Sequence, residues 1–193
     1  MDDAGRNAII LHGVPEREYY FDPSKPAESN AHWLPWLQKE LIIRGIRADT
    51  PEVPHSYDPQ WDVWVREVER FDIRPQTMLV GHSGGGGFWL RYLSQRPRLR
   101  VGKVVLVGPW LDPNHTVDKA FFDFKPDKGL AGRTGGLVLF HSRDDSDSVQ
   151  ASVQRILEAI DDVQLREFDG LGHFKDDNLG GEAFPALLEE LLR

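Results

Sequence analysis

Short, continuous apolar runs punctuate the chain at residues 8–11, 78–80, 104–107 and 137–140, with an alternating run at 163–168 and a weaker one at 46–53. Unbroken apolar character suits strands buried on both faces, as in a parallel sheet. Between the runs the spacing changes to a helical one. Trp61, Trp64, Val65 and Val68 share one helical face, as do Val149, Val153, Ile156, Leu157 and Ile160, and Phe184, Leu187, Leu188 and Leu191. Residues 33–43 and 87–93 also read as helices. This β-α-β-α order predicts an α/β protein: a doubly wound, mostly parallel sheet of about six strands, helices on both faces and right-handed crossovers.

Two stretches break the alternation. Residues 13–30 and 110–132 are long and rich in proline, glycine and aromatic residues. Each follows an expected strand, so each is placed at a carboxyl end, where open α/β sheets bind ligands. The alternatives for both are a lid and a plain surface loop.

Size and composition then narrow the options. A chain of 193 residues suits one compact domain, 1–193, rather than two. The net charge of −8, without a run of lysine or arginine, argues against nucleic acid as a partner. The absence of cysteine excludes disulfides, thiolate metal sites and a cysteine nucleophile. The first residues, MDDAGRNAIILHG, lack the basic flank and long apolar core of a secretory leader, and no segment approaches the ~18 apolar residues of a membrane span. A soluble cytoplasmic protein without a membrane partner is the expectation.

The candidate chemistry begins where the run at 78–80 enters Gly81-His82-Ser83-Gly84-Gly85, a G-x-S-x-G pentapeptide opening onto a helical stretch. A nucleophile elbow needs that context, because its serine sits on a strained turn with the hydroxyl lifted clear of the sheet. Serine is a weak nucleophile until a base takes its proton, and the base needs a third group to orient it. Past the strand at 137–140 lie Asp144, Asp145 and Asp147, any of which is a candidate acid; past the strand at 163–168 lies His173 in a glycine-flanked loop. The order Ser, Asp, His is that of α/β-hydrolases.

Two backbone N–H groups are expected to stabilise the oxyanion: Gly84, directly after the nucleophile, and Val14, in the turn after the first strand. Pro15 carries no donor. His12, His82 and His141 have ordinary explanations at strand ends or within the pentapeptide, and their spacing suggests no metal site. The glycines fit neither phosphate motif: no lysine follows Gly87, and the last position of G-x-G-x-x-G falls on Trp89 or Leu90. No cofactor is expected. Trp33, Trp110, Phe121 and Phe122 are candidate walls of an acyl pocket, with core packing as the competing role.

Over nearly its whole length the chain resembles the compact α/β-hydrolases related to retinoblastoma-binding protein nine and the bacterial YdeN-type proteins. The likeness is carried by the early first strand, W-x-x-W-L-x-x-E-L at 33–41, the GHSGG elbow, S-x-D-D at 142–145 and the closing GHF at 172–174. It implies an α/β-hydrolase fold with a minimal sheet and no large cap domain. It also implies a serine hydrolase with Ser83 as nucleophile, His173 as base and Asp145 as orienting acid. The expected activity is that of a carboxylesterase acting on small acyl esters, falling on acidification as the imidazole gains a proton. The alternative is a fold that has lost useful catalysis and serves as a binding module.

Overall fold

A computed structural model describes residues 5–193; residues 1–4, part of the stretch examined for a leader and of the expected domain 1–193, lie outside the described residues. Six strands form one sheet: β1 (Asn7–Leu11), β2 (Arg47–Asp49), β3 (Met78–His82), β4 (Val104–Val107), β5 (Leu137–Ser142) and β6 (Gln164–Phe168). Their order across the sheet is β2-β1-β3-β4-β5-β6, and every neighbouring pair is parallel. β3, β4 and β5 are buried at every residue, as their apolar runs at 78–80, 104–107 and 137–140 require, and the polar ends of β3 and β5 are buried with them. The edge strands differ: β2 is three residues long, and β6 mixes polar and apolar positions with no residue fully buried.

Successive side chains on a strand face opposite ways, so each central strand feeds two cores. Ile9, Leu11, Leu79, Leu106 and Leu139 pack on one face with Trp64, Phe88 and Val153. These come from α3 (Trp61–Val68), α4 (Gly84–Ser94) and α6 (Asp147–Ala159). Ile10, Val80, Val107 and Phe140 pack on the other with Leu37 and Leu187, from α2 (Leu34–Ile42) and α8 (Pro185–Leu192). At about 1.5–3 kcal/mol for each fully buried large apolar side chain, these two layers are the main source of stability. The remaining helices are short: α1 (Arg17–Phe21), α5 (Lys119–Phe122) and α7 (Asp176–Leu179). Among the described residues no helix is long and apolar enough to cross a membrane.

One expected boundary moves. The helix expected from residue 87 starts at Gly84, so all four glycines are helical. Glycine disfavours helix by about 1 kcal/mol relative to alanine, yet packing overrides propensity here. A β-carbon on Gly85 would overlap the His12 carbonyl oxygen and lie 2.7 Å from that of Leu11. Only glycine lets α4 lie this close to the end of β1, and that closeness brings the two ends together.

Candidate active site

From β1 the chain goes to β2 on one side and then crosses back to β3 on the other, so a crevice opens between the carboxyl ends of β1 and β3. Ser83 stands there, between β3 and α4, with φ 53° and ψ −121°, values that a non-glycine residue adopts only when its surroundings force them. The forcing groups are identifiable. Ser83 N–H donates to Val107 O at 2.9 Å, and its carbonyl accepts from the N–H groups of Gly86 (3.0 Å), Gly87 (3.3 Å) and Trp110 (3.0 Å). The elbow is therefore held from both the β4 end and the first turn of α4.

The histidine loop is held as firmly. His173 Nδ1–H donates to Asp145 Oδ2 at 2.8 Å, with Oδ1 at 3.1 Å. Asp145 is buried, and its Oδ1 also accepts from Ser146 N–H at 2.7 Å. Gly108, at φ 49°, leaves room for this pair: a β-carbon there would lie 3.2 Å from His173 Nδ1 and 3.3 Å from Asp145 Oδ2.

Asp144 turns the other way. Its carboxylate accepts from Gly170 N–H (3.0 Å) and Gly172 N–H (3.2 Å) and from the Ser142 hydroxyl. The Ser142 bond, followed by the backbone N–H groups, holds its carboxyl below the usual range. Asp144 thus fastens the loop, while its neighbour meets the imidazole. Asp147 is exposed in the first turn of α6.

Two histidines tie these parts together. His82, adjacent to Ser83, donates from Nε2–H to His173 O at 2.8 Å, and the two rings lie 4.9 Å apart. Burial, reinforced by His173 and His32, pushes His82 well below its ordinary pKa, so it stays neutral. His12 Nε2 accepts from Val53 N–H at 3.0 Å, which places the proton on Nδ1, the donor to Gly13 O at 2.7 Å. Burial lowers its pKa as well. Because a trans peptide points its C=O and N–H in opposite directions, the bond to Gly13 O also fixes the direction of Val14 N–H. Neither Val14 N–H nor Gly84 N–H donates to another described residue, and a β-carbon on Gly84 would lie 3.3 Å from Val14 N. Two uncommitted donors therefore lie side by side next to Ser83. The roles of His12 and His82 escape sequence reasoning, since each acts through a contact that adjacency in the chain does not reveal.

Ser83 and His173 border one cleft of about 800 Å³. Ser83 Oγ makes no hydrogen bond among the described residues; such bonds often tighten only when substrate binds. Both irregular stretches reach the cleft, through Glu16, Arg17, Trp110 and Val117. Of the four aromatic residues expected to wall an acyl pocket, only Trp110 borders it. Trp33 is fully buried, edge-on to His82 and Phe184. Phe121 packs edge-on to Trp64 in the core, and Phe122 lies against Trp110 with its ring buried. For these three, the drive to remove large apolar rings from water places them in the core instead. Among the described residues no three His, Asp or Glu side chains gather to hold a metal ion.

Against known proteins, the chain matches the serine hydrolase family model over residues 23–192. It is 27% identical over 184 residues to YdeN of Bacillus subtilis (strain 168), covering 91% of this chain and 94% of that protein. The crystal structure of the B. subtilis ydeN gene product superposes with a TM-score of 0.78 at 24% identity, over 97% and 96% of the two chains. Monoacylglycerol lipase of Paleococcus ferrophilus shares the fold at a TM-score of 0.63 and 16% identity, over 98% and 94%. The architecture is thus the α/β-hydrolase fold without a large cap domain. With a family match covering most of its length, and a serine forced into an elbow at the sheet's switch point, the chain belongs to the serine hydrolase family.

Proposed function

We propose that this hydrolase cleaves small carboxylic esters through an acyl-enzyme on Ser83. Ser83 Oγ attacks the acyl carbonyl while His173 Nε2 takes its proton. Asp145 keeps the other imidazole proton on Nδ1 and stabilises the imidazolium that forms. The oxyanion of the tetrahedral intermediate accepts from Val14 N–H and Gly84 N–H, donors that need no reorganisation at the moment of reaction. The C–O bond to the alcohol then breaks, and His173 returns the proton to the departing oxygen. Water repeats the sequence on the acyl-enzyme and releases the acid. Two cores sharing one sheet support reading the chain as a single catalytic domain acting on a small-molecule substrate.

The observation that carries the reading is the 2.8 Å bond from His173 Nδ1 to buried Asp145, in the same cleft as a serine held at positive φ. Both are what an activated serine and its oriented base require. Turnover of p-nitrophenyl butyrate tests it. Ser83→Ala keeps the β-carbon and so the elbow, and lowers the rate by at least about 10³-fold; undiminished turnover removes Ser83 from the mechanism.

A further inference from the structure

Beside the main cleft lies a smaller cavity of about 260 Å³, shared by Ser83 and His173 with Tyr19, Glu28, His32 and Lys175. Among the described residues, Val14, Pro15 and the Tyr19 ring supply its larger apolar surfaces. The volume suits a small group rather than a long acyl chain.

Three polar groups border this wall: the Glu28 carboxyl, the Tyr19 hydroxyl and the Lys175 ammonium. The Glu28 carboxyl and the Tyr19 hydroxyl make no hydrogen bond with another described residue, and Lys175 acts on Glu28 through its charge. Glu28 and Tyr19 are half-buried and Lys175 is exposed, so all three border a space beside the nucleophile where an entering group can take the place of water.

Their chemistry restricts the occupant. A carboxylate or phosphate would meet Lys175 but face Glu28 and Glu16, which border the same cavity. An ammonium would meet Glu28 and face Lys175. A neutral group with several hydroxyls conflicts with neither, because each hydroxyl donates to a carboxylate and accepts from an ammonium or phenol. The Glu28 carboxyl is already disfavoured as an anion, by burial first and by nearby Glu52 second, with Lys175 offsetting part of the effect. A bound hydroxyl relieves that unfavourable solvation.

We infer that this cavity takes the hydroxylated part of the substrate, a small neutral polyol or sugar-like group whose hydroxyls pair with Glu28, Tyr19 and Lys175. The inference rests on the proposed role of Ser83 and adds the substrate class: esters of hydroxyl-rich alcohols rather than of simple alkanols or charged ones.

The test compares kcat/KM for 1-butyrylglycerol and n-propyl butyrate, which share the acyl group and differ by two hydroxyls. The purified protein prefers the glycerol ester by about tenfold or more, as expected of two added hydrogen bonds. In Glu28→Leu and, separately, Tyr19→Phe, the ratio falls at least about threefold toward one. A ratio taken within one variant cancels any loss of folded protein or of catalytic power. A wild-type ratio near one, or a ratio unmoved in both variants, overturns the inference. So does a preference for butyrylcholine over both neutral esters, which would make the cavity a cation site. A flat ratio with p-nitrophenyl butyrate still hydrolysed defeats the substrate class alone. Failure to hydrolyse any of these esters defeats the esterase reading and the inference with it.

Discussion

Replacing Glu28 with glutamine is expected to stabilise the protein at alkaline pH and to change little in acid. Burial, and then the charge of Glu52, raise the Glu28 pKa from the ordinary 4.5 to about 7, against the opposing pull of Lys175. At about 1.4 kcal/mol per pH unit, that gap corresponds to roughly 3 kcal/mol, an upper bound because the side chain borders an open cavity. The sign follows from the protons. Below pH 4.5 the folded and unfolded chains both hold the proton. Between 4.5 and 7 the folded chain keeps a proton that the unfolded chain releases, so stability drains away as pH rises. Above 7 the loss is complete.

Glutamine does not titrate, so the stability difference between the variant and the wild type isolates this one group from all others. Urea unfolding followed by tryptophan fluorescence at pH 4.5, 6 and 8 measures it. The expected advantage of Glu28→Gln grows with pH to between about 1 and 3 kcal/mol at pH 8. A difference constant across that range refutes the reasoning. A gain in stability from removing a group beside the nucleophile would also fit the usual conflict between stability and a working site.

Three further outcomes follow from the geometry. Asp145→Asn offers His173 Nδ1 an amide in place of a carboxylate, lowering kcat by about 10³–10⁴-fold, whereas Asp144→Asn only loosens the contacts to Gly170 and Gly172 and costs far less; esterase kinetics showing the reverse order would exchange their roles. His82→Phe removes the donor to His173 O and lowers kcat by about tenfold with KM little changed, and His82→Gln recovers part of it; equal rates in both variants would show that the bond does not position the base. Gly85→Ala drives a methyl group into the Leu11 and His12 backbone, which has no flexible side chain to yield. It lowers stability by about 3 kcal/mol or more, read as a fall in Tm, and an unchanged Tm would contradict the close approach of α4 to β1.

Much of the architecture was legible because burial on both faces leaves a direct mark: unbroken apolar runs became β1, β3, β4 and β5. The elbow was legible too, because its backbone geometry demands glycine at fixed offsets from Ser83. What stayed hidden depends on side-chain direction. Asp144 and Asp145 are neighbours in the chain, yet one meets backbone N–H groups and the other an imidazole, a difference set by how residues 142–146 leave the sheet. Trp33, Phe121 and Phe122 look alike to composition whether they line a pocket or fill a core. The stretch at 13–30 is not wholly irregular, because distant contacts order it: Tyr20 Oη accepts from His55 N–H at 3.0 Å and its ring lies 4.9 Å from that of Tyr57. No local pattern signals a partner 35 residues away.

The most direct trial of the mechanism is covalent. Incubation with a fluorophosphonate, followed by peptide mass spectrometry, reads which oxygen the site activates. The account predicts one phosphonyl adduct per chain, on Ser83, lost in Ser83→Ala and slowed in Asp145→Asn. An unmodified Ser83 in protein that remains folded, or a label on another residue that survives the alanine substitution, would contradict it.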